Sequence, residues 1–138
     1  MDPKLTVGEV QDFLAREFPQ VSSDFQVVRL GPMTARLRME PDNRHLRPGG
    51  TISGPTLFQL ADCAVYLCLI AMVGPEALAV TTNASIDFMR KPEADQALIA
   101  DVTLLKLGRG LVVGDVRMAS ENSDALVARA TLTYSRPR

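Results

Sequence analysis

Asp62 is the residue of this 138-residue chain that most raises a chemical question. It is the only charged residue between Arg47 and Glu76, and it lies inside the apolar run Gly54–Val73. Removing an ionised carboxylate from water costs on the order of several kcal/mol unless something compensates it. An Asp in such a place can act as a general base on water or as a nucleophile. It can also be structural, bonded to Gln59, Tyr66 or a backbone group. Helical spacing surrounds it with Phe58, Gln59, Val65, Tyr66 and Leu69, which predicts a face that is not a solvated stripe.

Gly54 stands eight residues earlier. Ser53 suits an N-cap and Pro55 the first helical position. A helix opening at Gly54 presents unpaired N–H groups and the positive end of its dipole. Without a side chain at Gly54, a ligand oxygen can come close, so the position suits an anion or a developing oxyanion. A plain helical turn, with Gly49, Gly50 and Gly54 merely relieving strain, fits the same residues. Gly54 and Asp62 are about 12 Å apart along a helix axis at 1.5 Å per residue. One carbonyl therefore cannot touch both. If both act on one carbon, they come from two copies of the helix, and a twofold axis gives two equivalent sites. The catalytic reading predicts a homodimer.

The elements that must hold these residues follow from periodicity. Thr6 to Glu9 has capping-box spacing, and a helix is expected over residues 6–18, closed by Pro19. Phe25–Leu30 and Thr34–Met39 read as strands around Gly31-Pro32. Residues 41–53 form a polar loop. The central helix runs from Gly54 to Val73, stops at Gly74-Pro75 and, being apolar nearly all round, should be buried. Ala79–Phe88, Ala97–Leu107, Gly110–Ala119 and Ala125–Ser135 read as strands. A single apolar helix must be covered, and an antiparallel sheet curled around it is the economical solution. The expected class is α+β, with residues 1–138 forming one domain.

Composition removes other classes. The net charge is −1 and no Lys/Arg run is present, so neither a nucleic-acid nor a membrane-surface partner is expected. The uncharged stretch from Cys63 to Pro75 is shorter than the ~20 residues of a membrane span. The N-terminus lacks an apolar signal core, which points to a cytoplasmic location. Cys63 and Cys68 are too far apart for a CxxC motif, and one histidine is too few for a zinc set. Both cysteines read as small buried apolar residues. A carboxylate next to Cys63 would also raise its thiol pKa and blunt it.

The segment from Arg47 to Asp62, Arg-Pro-Gly-Gly-Thr-Ile-Ser-Gly-Pro-Thr-Leu-Phe-Gln-Leu-Ala-Asp, resembles the signature of the PaaI-type hotdog acyl-CoA thioesterases. Val80–Pro92 and Leu107–Gly110 are similar to that family's next strand and turn, so the resemblance runs from about residue 43 to 134. It implies a hotdog fold, hydrolysis of acyl-CoA to an acid and free CoA without metal or cofactor, and a dimer or dimer of dimers with the site between subunits. It places Asp62 as the catalytic carboxylate and the Gly54 N–H as the oxyanion donor. It makes Thr81 the hydroxyl residue that helps position the water or the Asp. Ser53 stands where the family has His, Arg47 where it has Asn, and Pro55 where it has a second Gly. Arg47 cannot accept a hydrogen bond, but it can bind a carboxylate or phosphate or stabilise an oxyanion. Arg47, Ser53, Thr81 and Asn83 are the candidate substrate contacts, although Asn83 can equally face away. Arg90, Lys91, Lys106 and Arg109 are candidate contacts to CoA phosphates. Two rivals share the scaffold. One is a non-catalytic acyl-CoA or small-acid binder. The other is a hydratase, for which His45 is the sole candidate and otherwise reads as a loop residue.

Overall fold

The computed structural model describes residues 1–42, 45–46, 51–75, 78–93 and 95–137. In chain order its elements are α1 (Val7–Glu17), β1 (Phe25–Gly31), β2 (Thr34–Met39), α2 (Gly54–Val73), β3 (Val80–Phe88), β4 (Leu98–Leu107), β5 (Leu111–Ser120) and β6 (Leu126–Ser135). The strands form one antiparallel sheet in the order β1-β2-β4-β5-β6-β3, with α2 packed across it. This is the expected α+β hotdog architecture, and every element falls within about two residues of its expected bounds.

The local causes are those the residues predict. Thr6 Oγ1 accepts the Glu9 N–H at 3.2 Å while Glu9 Oε1 accepts the Thr6 N–H at 3.0 Å, completing the capping box of α1. Ser53 Oγ accepts the Thr56 N–H and opens α2. Gly74 ends it at φ +98°, a backbone conformation that favours glycine. Register shifts interrupt pairing at Val27/Arg29, Thr81/Asn83, Leu104/Lys106 and Met118/Ala119. Such bulges bend strands, which lets a sheet curl over a helix.

Leu60, Leu67, Leu69, Ile70 and Met72 of α2 are fully buried with Leu37, Leu98, Met118 and Leu132 of the sheet. By length and apolarity α2 could cross a bilayer, yet most of it is covered within the fold. It is not buried all round, which corrects the expectation from composition. Pro55, Phe58 and Gln59 are exposed, and Asp62 and Cys63 are half-buried. The sheet covers one side of a helix only, so the other side of its N-terminal half stays open.

Gly114 of β5 lets α2 come close. A Cβ there would stand 2.9 Å from both γ-methyls of Val65. Gly114→Ala should lower the unfolding free energy by about 1–3 kcal/mol through overpacking. Adding Val65→Ala should remove the clash, so the double mutant should lose less than the two single losses combined; additive losses in chemical denaturation would refute this contact.

The two edges of the sheet differ. The β1 edge is occupied by the Gln11 side chain, whose Nε2 donates to the Phe25 carbonyl at 3.0 Å and whose Oε1 accepts the Val27 N–H at 2.8 Å. The β3 edge is nine residues long and mostly exposed, with Val80 and Phe88 each more than half accessible. Ion pairs such as Arg36–Asp101 and Arg129–Asp87 keep the outer face of the sheet polar.

Candidate active site

Thr81 and Tyr134 are Cα partners across β3 and β6, so both point to the same face. There they meet Asp62. Thr81 Oγ1 donates to Asp62 Oδ1 at 2.6 Å, and the Tyr134 hydroxyl faces the same oxygen at 2.8 Å and the Asp62 carbonyl at 3.0 Å. Among the described residues no donor reaches Oδ2. Two hydrogen bonds on one oxygen fix the carboxylate in rotation. The other oxygen is left to accept a proton.

Burial pushes the Tyr134 hydroxyl well above the ordinary tyrosine range, and the Asp62 charge adds to this. Tyr134 therefore stays protonated and acts as a donor rather than a base. Burial, then the Asp62 charge, likewise pushes the Cys63 thiol up, so it is held away from the nucleophilic thiolate. Cys68 is fully buried and pushed up to about 12. Cys63 departs from expectation in being only half-buried: it lines the space in front of Asp62.

That space is a cavity of about 510 Å³. Asp62, Thr81, Tyr134 and Gln59 supply polar groups to its lining; Phe18, Phe25 and Tyr66 are among its apolar walls. Tyr134 is the residue that sequence reasoning missed. The sequence offers Asp62 partners along its own helix, Gln59 or Tyr66, whereas the hydroxyls that hold it come from the sheet, 19 and 72 residues away. One signal was present. The chain has only two tyrosines, and this one sits at an inward position of an alternating strand, where a buried hydroxyl needs a partner.

Gly54 lies in a second cavity, of about 490 Å³, with Phe88, Arg90, Lys91 and Pro92. The two residues absent from the family pattern account for its first turn. Pro55 has no N–H. Ser53 Oγ takes the Thr56 N–H and also contacts Thr56 Oγ1 at 2.8 Å, and the Ser53 carbonyl takes the Leu57 N–H. Among the described residues, the Gly54 N–H is the first-turn donor left without a partner. Ser53 is thus engaged as the N-cap. Within one chain, Asp62 and Gly54 open into separate cavities, as their spacing requires.

The remaining candidates divide by position. Asn83 is exposed on β3 past a register shift and lines neither cavity. Arg90 and Lys91 share the Gly54 cavity, with Arg90 Nε donating to the Leu126 carbonyl at 2.9 Å. Lys106 and Arg109 are exposed at the β4–β5 turn. That turn lies at the Thr81 end of the sheet, because Leu111 and Val80 both pair with Ser135. Arg47 lies outside the described residues. His45 is buried rather than a loose loop residue. Its Nδ1 accepts the Asp42 N–H at 2.8 Å, and its carbonyl accepts the Ser53 N–H at 2.8 Å, so it braces the entry to α2.

A family model described as the thioesterase superfamily matches residues 49–127. Among solved structures, a candidate thioesterase from Silicibacter sp. TM1040 is 48% identical over 100% of this chain and 96% of its own, with a TM-score of 0.93. A mutant of the phenylacetic acid degradation protein PaaI from Thermus thermophilus is 30% identical, covering 86% of this chain and 99% of its own, with a TM-score of 0.74. A hypothetical thioesterase crystallised with coenzyme A, from Streptococcus pneumoniae TIGR4, shares the fold at 21% identity, covering 93% of this chain and 96% of its own, with a TM-score of 0.79. No curated protein sequence matches. The family match over more than half the chain, and near-half identity along all of it to a candidate thioesterase, place this chain in the thioesterase superfamily as a PaaI-type hotdog protein.

Proposed function

We propose that this protein hydrolyses acyl-CoA thioesters at two equivalent sites, each made by two chains. The observation that carries this is the division of labour between the cavities: among the described residues, a carboxylate with one oxygen pinned and one open faces the first, and a backbone donor without a partner faces the second. A water oxygen attacks the thioester carbonyl carbon while Asp62 Oδ2 takes the water proton. The Gly54 N–H of the facing chain stabilises the oxyanion. Collapse of the tetrahedral intermediate breaks the C–S bond, and the departing thiolate takes the proton from Asp62. The products are a carboxylic acid and free CoA.

The sheet edges support a two-chain assembly. Gln11 occupies the β1 edge, whereas β3 offers an open edge, with Val80 and Phe88 exposed at its two ends, that a second β3 can pair with. A twofold there runs the two copies of α2 antiparallel and covers Phe58 and Gln59. It also brings Arg109, at the Thr81 end of one sheet, toward Arg90 and Lys91 in the Gly54 cavity of the facing chain, which suits the phosphates of CoA.

Thiol release from short-chain, aromatic and long-chain acyl-CoAs tests the reaction. Tight binding with no thiol released would support the non-catalytic binder. Loss of enoyl absorbance without thiol would support the hydratase.

Tyr134 acts here by holding Asp62. Tyr134→Phe removes one donor to Oδ1 and should lower kcat about tenfold, the worth of one hydrogen bond to a charged group. KM should stay within about twofold, since the phenol is not needed for uniform substrate binding. A fall confined to KM would contradict this role.

A further inference from the structure

We infer that the residues closing α1, Phe18 above all, form the far wall of the acyl pocket, so that the N-terminal helix sets the length of acyl group accepted. This rests on the reading of the Asp62 cavity as the acyl site. The cavity runs from Asp62 and Tyr134 to Phe18 and Val21. A continuous line of rings joins the two ends. Tyr134 stacks on Tyr66 with centroids 5.8 Å apart, and Phe18 meets Tyr66 edge-on at 5.6 Å. An apolar chain leaving a carbonyl beside Asp62 therefore follows aromatic surface until it reaches Phe18.

The wall is fixed in place. Gln11 ties α1 to β1 through both ends of its amide, and the N–H groups of Lys4 and Leu5 donate to the Ala71 carbonyl at 2.8 and 3.1 Å. The Phe18 N–H donates to the Leu14 carbonyl, and the Phe18 carbonyl accepts the Val21 N–H. Phe18 itself is only half-buried and packs against the core from outside. The next cavity residue, Gln20, is exposed. Truncating Phe18 thus opens the pocket outward without emptying the core. The family match begins at residue 49, so this wall comes from a part of the chain beyond the matched segment.

The test is the chain-length profile of kcat/KM for straight-chain acyl-CoAs, from acetyl to palmitoyl, by thiol release. Phe18→Ala should move the optimum to longer chains and raise the long-to-short ratio about tenfold or more, the scale on which a hydrophobic pocket discriminates methylene groups. Phe18→Trp should move it to shorter chains, which keeps the test valid if the alanine variant folds poorly. An unchanged optimum in both variants, with activity scaled evenly over all chain lengths, overturns the inference alone. Absence of thiol release by wild type from every acyl-CoA overturns the thioesterase reading, and this inference with it.

Discussion

Asp62→Asn should lower kcat for thiol release by about 10²- to 10⁴-fold, the usual contribution of a positioned general base. The substitution is informative because it is nearly isosteric. Thr81 Oγ1 and the Tyr134 hydroxyl both donate toward Oδ1, so the asparagine carbonyl oxygen is drawn to that side. Its amide nitrogen then takes the place of Oδ2, and an amide nitrogen accepts no proton. The contacts to β3 and β6 survive, so thermal stability and CoA binding should change little while turnover collapses. Activity close to wild type would remove Asp62 from the mechanism. A single turnover in ¹⁸O-labelled water then separates base from nucleophile. Direct attack by water labels the acid product at once, whereas attack by Asp62 expels the thiolate and forms a mixed anhydride, and water opening it at the Asp62 carboxyl carbon gives a first-turnover acid carrying an oxygen from the protein and leaves the label in Asp62.

The parts of this molecule legible in the sequence are those with local causes. The capping box at Thr6 and Glu9, the Ser53-Gly54-Pro55 helix start and the Gly74-Pro75 stop are each decided within four residues, and each appears in the structure. The alternating strands are legible for the same reason. The apolarity of α2 is legible, but not which side of it the sheet leaves open, because coverage depends on where six strands stop. Asp62 stands out as an isolated charge. Its Tyr134 partner does not, since the contact is made by the pairing of β3 with β6 across 72 residues of chain. In the sequence Phe18 is only the last periodic position of the first helix. Its role against Tyr66 arises once α1 is docked on β1 by Gln11. The departures at Ser53 and Pro55 look like losses in the sequence. In the helix they dispose of the competing first-turn donor positions and leave the N–H of Gly54.

A mixed dimer of one Asp62→Asn chain and one Gly54→Val chain should recover about half the wild-type activity, although each variant alone is nearly inactive. Gly54→Val is a blocking change. A Cβ at that position meets Phe88 Cζ at 3.3 Å, and because Phe88 is 56% exposed its ring has room to shift, so the fold tolerates the added bulk. What the valine takes away is the close approach of a carbonyl oxygen to the N–H, worth about 10²- to 10³-fold for one oxyanion donor. In the mixed dimer, one site receives both substitutions, the asparagine from one chain and the valine from the other, and is lost twice over. The other combines the intact Asp62 of the Gly54→Val chain with the intact Gly54 of the Asp62→Asn chain, and it should turn over at the full rate. Carrying a different affinity tag on each chain allows the mixed species to be purified and its thiol release measured against both parent variants. If each site were built within one chain, both sites of the mixed dimer would hold one damaged residue and no activity would return. The roughly 12 Å of helix between Gly54 and Asp62 is what makes these two outcomes so far apart.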